Sequence, residues 1–119
     1  MTWELTDKQR PWTANAERTM HYMKRAAIIK DCRTRFYWLA KQHPIPALVR
    51  IKVHAYPLAK DRRWRPDVAA CYPAVKAAID GIVDAGVIPD DNDTYLASIT
   101  FYPVQIDGYD GLRIVIEEA

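Results

Sequence analysis

The residues most able to do chemistry together are Asp67, Lys76 and the run Asp90, Asp91 and Asp93. Clustered carboxylates attract hard, oxygen-loving cations such as Mg²⁺, which activate water and neutralise a phosphate in the transition state. Asp67 stands just before a helical segment and Asp90–Asp93 just after it. A helix of about twelve residues rises ~18 Å, so the two groups do not meet along the helix itself. They meet if the Asp90–Asp93 loop pairs with a strand running back beside the helix start, or if they act across a dimer interface. A plainer reading stands beside this one. Pro89-Asp90-Asp91-Asn92-Asp93 is also good turn chemistry, and Asp67 suits a helix cap. Lys76 sits four residues before Asp80, the spacing of an ordinary surface ion pair.

Immediately upstream of Asp67, Lys60, Arg62, Arg63 and Arg65 surround Trp64. Guanidinium groups there can seat phosphates, and the indole can stack on an unpaired base. Otherwise this is a solvated loop with Trp64 folded onto the core edge. The net charge of the 119-residue chain is only +2, but its distribution is uneven. Basic residues crowd Lys24–Arg35 and Arg50–Arg65, while acids collect in Asp80–Asp93 and at the C-terminal end. Such segregation lets one surface hold a polyanion and another hold cations.

Cys32 and Cys71 lie far apart, each in an apolar pattern, and form no ligand cluster with His21, His43 or His54. Zinc is not expected; buried reduced thiols are. The first residues, MTWELTDKQR, are polar and charged rather than signal-like, and no apolar run approaches the ~18 residues of a membrane span. The expectation is a soluble intracellular protein with no membrane partner.

The elements that position these residues follow from period. The length fits one domain. Residues 1–14, with Trp3, Pro11 and Trp12 in no clear period, read as an N-terminal arm or loop. From His21 to Gln42, Arg25, Ile28, Cys32, Phe36 and Leu39 recur at helical spacing, and His43-Pro44-Ile45-Pro46 ends the helix. Residues 47–56 alternate, with Val49, Ile51, Val53 and Ala55 inward and Arg50, Lys52, His54 and Tyr56 outward. A loop, Pro57–Pro66, carries the basic cluster. Val68, Cys71, Tyr72, Val75, Ile79, Ile82, Val83 and Gly86 then mark a second helix, with residues 67–72 as its lead-in turn. Pro73 suits its first turn and Gly86 its C-terminal cap. After the loop Val87–Asp93, Tyr95, Ala97, Ile99 and Phe101 share one strand face, and Leu112, Ile114 and Ile116 another. Asp107-Gly108-Tyr109-Asp110-Gly111 between them predicts a hairpin turn. The predicted class is α+β: two helices packed on a small mixed β-sheet in a single domain spanning 1–119.

One stretch carries a family likeness. Arg65-Pro66-Asp67-Val68-Ala69-Ala70, then Lys76-Ala77-Ala78-Ile79-Asp80, the exit Ala85-Gly86 and the pair Asp90-Asp91 resemble the signature of RusA-like Holliday junction resolvases. That signature is a basic stretch, an Asp-x-[acid or small]-Asn element, a helix with Lys-Ala-x-x-Asp, an Ala-Gly exit and an Asp-Asp pair. Lys76 to Asp91 matches in spacing and type. Thr13-Ala14-Asn15 followed by a basic helix is similar to the N-terminal element of the phage and actinobacterial branch.

The resemblance implies a RusA-like fold and a Mg²⁺-dependent endonuclease (Mn²⁺ as substitute) that resolves four-way DNA junctions in recombination and repair. The protein would act as a homodimer in the cytoplasm of a bacterial or phage-infected cell. A two-fold dimer matches the pseudosymmetry of a junction, with an apolar interface drawing on aromatic residues outside the main helical stripes. Carried over by position, Asp67, Lys76 and Asp91 are the catalytic residues. Asp67 and Asp91, with Asp90 beside them, are the metal ligands, and Lys76 is an electrophile steadying the scissile phosphate. Asn15, Lys60, Arg62, Arg63 and Arg65 are the expected DNA contacts. Ala69 stands where some members have a second Asp, and Ala70 where the family has Asn. The missing carboxamide makes a junction-binding protein with impaired or absent catalysis the alternative. A generic α+β interaction module is the third reading, and it leaves the Lys76–Asp91 spacing unexplained.

Overall fold

A computed structural model describes residues 1–119. The chain forms β1 (Thr2–Asp7), α1 (Ala14–Arg18), α2 (Tyr22–Gln42), β2 (Ile51–Ala59), α3 (Tyr72–Asp84), β3 (Leu96–Phe101), β4 (Gln105–Ile106) and β5 (Gly111–Glu118). The strands make one mixed sheet in the order β1-β5-β2-β3, with β4 also beside β2. β2 runs parallel to β3 and β4 and antiparallel to β5. Both long helices cover one face of this sheet, so the α+β expectation holds.

The core is built as periodicity requires. Along α2, Cys32, Phe36 and Ala40 are buried at i, i+4 and i+8; along α3, Ala74, Val75, Ala78, Ile79 and Ile82 are buried. They meet the inward residues Ile51, Val53 and Ala55 of β2 and Leu112, Ile114 and Ile116 of β5. Pro73 lies in the first turn of α3, where its absent N–H costs nothing. Gly86 takes a φ of 85° just past the helix end, a conformation that favours glycine. Both cysteines are buried and free. Burial pushes the Cys32 thiol up to about 12 and Cys71 to about 11, so neither is a nucleophile at neutral pH.

Four expectations need correction. Residues 1–14 are not simply an arm: Thr2–Asp7 is strand β1, antiparallel to β5 with Leu5 opposite Ile114. Its inward face ends in a charged residue, Asp7, which is 8% exposed and receives a 3.0 Å bond from Arg35 Nε. Burial raises the Asp7 carboxyl above its ordinary range despite that partner. Second, the strand predicted over 47–56 begins at Ile51, and Val49 is 84% exposed. It also continues through Pro57 to Ala59. Pro57 falls between the last β3 pair, at Ala55, and the first β4 pair, at Leu58, where that edge of the ladder changes partner. Third, the last two predicted strands are not a hairpin. β2 lies between β3 and β5, and the Asp107–Asp110 turn joins the two-residue β4 to β5. Fourth, Val68 and Tyr72, assigned to the apolar stripe of the second helix, are 47% and 52% exposed. They belong to its lead-in and first residue, beside the cleft described next.

Candidate nucleic-acid and catalytic site

Proline at 66 and 73 brackets a segment too short and too restrained to be free loop. Asp67 begins a tight turn in which Ala70 N–H donates to the Asp67 carbonyl (2.9 Å) and Tyr72 N–H to that of Ala69 (3.2 Å). The turn runs straight into α3. The Asp67 side chain makes no cap bond; it is exposed and has no ion-pair partner. The N-terminal element docks here, with Ala14 N–H donating to the Ala70 carbonyl at 2.9 Å. Thr13 Oγ1 caps α1 by accepting from Ala16 N–H at 3.2 Å. The result is a cleft of about 250 Å³ lined by Ala14, Asn15, Asp67, Ala69 and Ala70. Asn15, which the resemblance casts as a DNA contact, lines the same cleft as Asp67, its Oδ1 accepting from Arg18 at 3.2 Å.

Lys76 and Asp91 form a second group. Fifteen residues apart in sequence, they are hydrogen-bonded, Lys76 Nζ donating to Asp91 Oδ2, and the same ammonium donates to Asp80 Oδ1 at 2.8 Å. The loop after α3 therefore folds back onto the flank of that helix at Lys76. Desolvation opposes the lysine's charge, but the bonds to Asp80 and Asp91 outweigh it and raise its pKa. The Lys76 bond holds the Asp91 carboxyl below its ordinary value against partial desolvation. Asp90 is occupied differently. Its Oδ1 accepts from Asp91 N–H (2.8 Å) and its Oδ2 from Asn92 Nδ2 (3.1 Å), so both oxygens hold the turn.

The sign of these shifts gives a pH expectation. A lowered carboxyl contributes stability above its unfolded pKa and loses it as pH falls through the folded one; a raised lysine loses its contribution as pH rises through its own. The pair is therefore intact at neutral pH. In a carboxyl-carbon NMR titration, Asp91 should show a midpoint below 3.8, and Lys76→Met should move it back toward that value. An Asp91 midpoint unmoved by Lys76→Met would mean that the pair does not form in solution.

The residues present fit a hard cation in type but not as a ready cage. No three carboxylate, imidazole or thiol side chains converge in the chain. Mg²⁺ commonly takes only one or two carboxylates, with water and substrate phosphate completing its shell. The Asp67 carboxylate has no ion-pair partner, and Asp91 Oδ1 is left free by the bond of Oδ2 to Lys76, so each has an oxygen open to a cation.

The basic loop leaves β2 at Lys60. Asp110 Oδ1 accepts from Lys60 N–H and Asp110 Oδ2 from Arg10 Nη2, each at 3.0 Å, so the loop base is clamped to the turn before β5. The Arg10 guanidinium also lies 4.8 Å from the Trp64 ring centroid, so one indole face is already covered. Arg63 pairs only loosely with Asp61, at 3.7 Å. Lys60, Arg62 and Arg65 have no acidic partner within ion-pair distance. Arg10 and Asp110 were not legible as site residues, since nothing local distinguishes them from arm and turn. No helix is long and apolar enough to cross a membrane.

Fold and site together define an α+β domain with a carboxylate–lysine cluster and a basic loop in which Lys60, Arg62 and Arg65 have no acidic partner. No protein-family model matches the chain, and no curated protein matches it.

Proposed function

We propose that this protein is a RusA-like, Mg²⁺-dependent endonuclease that resolves four-way DNA junctions by paired phosphodiester hydrolysis, in recombination and repair of bacterial or phage DNA. The observation that carries the reading is the contact between Lys76 and Asp91, two motif positions that chain folding unites. Lys76 would steady the scissile phosphate, and its bonds to Asp80 and Asp91 hold the ammonium charged until a phosphate competes for it. Asp67 and Asp91 would hold the metal, which when bound activates water and neutralises phosphate charge. Lys60, Arg62, Arg63 and Arg65 would seat the backbone, and Asn15 would meet DNA at the Asp67 cleft. Products would carry 5′-phosphate and 3′-hydroxyl ends.

A homodimer belongs to the same reading. Tyr22, Met23 and Trp38 of α2 are 66%, 63% and 56% exposed and lie off its buried stripe, side chains of the kind such an interface would draw on.

A second reading has one observation in its favour. Ala70 lines the Asp67 cleft without any polar side-chain atom, so a protein that binds junctions and cuts them poorly suits the same fold. The test is a synthetic four-way junction incubated with and without Mg²⁺, beside a binding titration at fixed salt. Nicked product only with Mg²⁺ is the expected result. Binding without nicking would favour the second reading, and equal, weak binding of junction and linear duplex would defeat both.

A further inference from the structure

The short strand β4 and the basic loop enclose a cleft whose aliphatic residues have no part in the reaction outlined above. Leu58 and Ala59 pair with Gln105 and Ile106, and Asp107 N–H donates to the Ala59 carbonyl at 2.9 Å. This pairing sets the end of β4 against the start of the loop, while Asp110 fixes the loop base from the other side. Between them lies a cleft of about 280 Å³ lined by Arg62 and Arg65 of the loop and by Val104 and Ile106 at β4. The two pairs differ sharply in chemistry. Neither arginine has an acidic partner. Val104 and Ile106, two residues apart, present aliphatic surface on the same side, and Ile106 is 50% exposed.

Two guanidinium groups without acidic partners favour a phosphate, which each can grip bidentately. Aliphatic side chains in the same cleft favour an apolar face. One small ligand offers both at once: a nucleotide whose base has left its stack. In a continuous duplex each base face is already covered by its neighbours, so the aliphatic side chains find nothing there. The volume falls just below the roughly 300–1,000 Å³ of pockets for drug-sized ligands, which suits one nucleotide and excludes a helix.

We infer that the Arg62–Arg65–Val104–Ile106 cleft binds a single unstacked nucleotide next to a branch point. This is how the protein would distinguish branched from linear DNA. The inference rests on the DNA-binding reading above and adds its structure-reading residues. The arginines supply affinity for any DNA, and the aliphatic pair supplies the preference.

The probes are a forked oligonucleotide with 2-aminopurine at the first unpaired position and a fully paired duplex of equal length, titrated at fixed salt. Wild-type protein should prefer the fork and change the 2-aminopurine fluorescence. Val104→Ala/Ile106→Ala should weaken fork binding roughly tenfold and leave duplex binding unchanged, since it removes only apolar contact. Ile106→Gln, at a half-exposed position outside the buried core, should do the same more mildly and guards against loss of structure. Arg62→Gln and Arg65→Gln should each weaken both probes and lower the salt dependence by about one phosphate contact. If the aliphatic-pair variants bind both probes as the wild type does, the inference is overturned while the DNA-binding reading stands. If the wild type binds neither probe, that reading falls and the inference with it.

Discussion

Gly81→Ala is expected to destabilise the protein by about 3 kcal/mol, a large effect for one methyl group. Glycine inside a helix ordinarily costs ~1 kcal/mol relative to alanine, so propensity alone predicts a gain. Packing reverses the sign. A Cβ on Gly81 would lie 2.2 Å from the Arg33 carbonyl oxygen, 3.0 Å from the Tyr37 nitrogen and 3.1 Å from the Arg33 carbonyl carbon. All three are backbone atoms of α2, so no side chain can rotate away and the helix itself must shift. α2 carries Cys32 and Phe36 into the core on either side of that contact, and moving it opens their packing. The bidentate pair between Arg33 and Asp84, at 2.5 and 2.8 Å, spans the same crossing and would be strained with it. Urea unfolding followed by circular dichroism should show a lower midpoint with an unchanged slope. A midpoint equal to or above that of the wild type would show that α2 and α3 do not approach so closely.

That crossing illustrates what could and could not be read beforehand. The long helices were legible because their apolar residues recur every three or four positions and prolines or glycine mark their ends. Gly81 was silent, since one glycine inside a helical pattern does not reveal which backbone passes over it. Strand β1 was hidden for a related reason. Its alternation, Trp3-Leu5-Asp7, ends in a carboxylate whose partner, Arg35, is 28 residues away. Local chemistry correctly identified the Asp107–Asp110 turn but not what it joins, because strand order depends on contacts between distant segments. The site divides along the same line. Spacing to Asp80 showed one partner of Lys76, whereas the contact with Asp91 required the exit loop to fold back. Residue type alone did not separate Asp90 from Asp91; in the fold both Asp90 oxygens hold the turn, whereas Asp91 pairs with Lys76.

Ala70→Asn is expected to accelerate junction cutting by about 10²–10³, the range that one well-placed donor commonly contributes. The structure makes the substitution feasible. The Ala70 backbone is held by its N–H bond to Asp67 and its carbonyl bond from Ala14, neither of which involves the side chain. Its side chain lines the 250 Å³ cleft that also holds Asp67 and Asn15, so a carboxamide has room to enter. Placed there, the amide can donate to the Asp67 carboxylate or to a water beside it, restoring the group that the resemblance expects at this position. On the proposed reading binding should hardly change, because it would rest on Lys60, Arg62, Arg63 and Arg65 in a loop anchored separately through Asp110. Nicked product from a four-way junction, measured beside a binding titration at one salt concentration, separates the two quantities. A change in affinity with no change in rate would place position 70 in DNA contact rather than in chemistry. A wild-type rate that the amide does not improve would mean that Asp67 acts without help from position 70, and the cleft would lose its catalytic role.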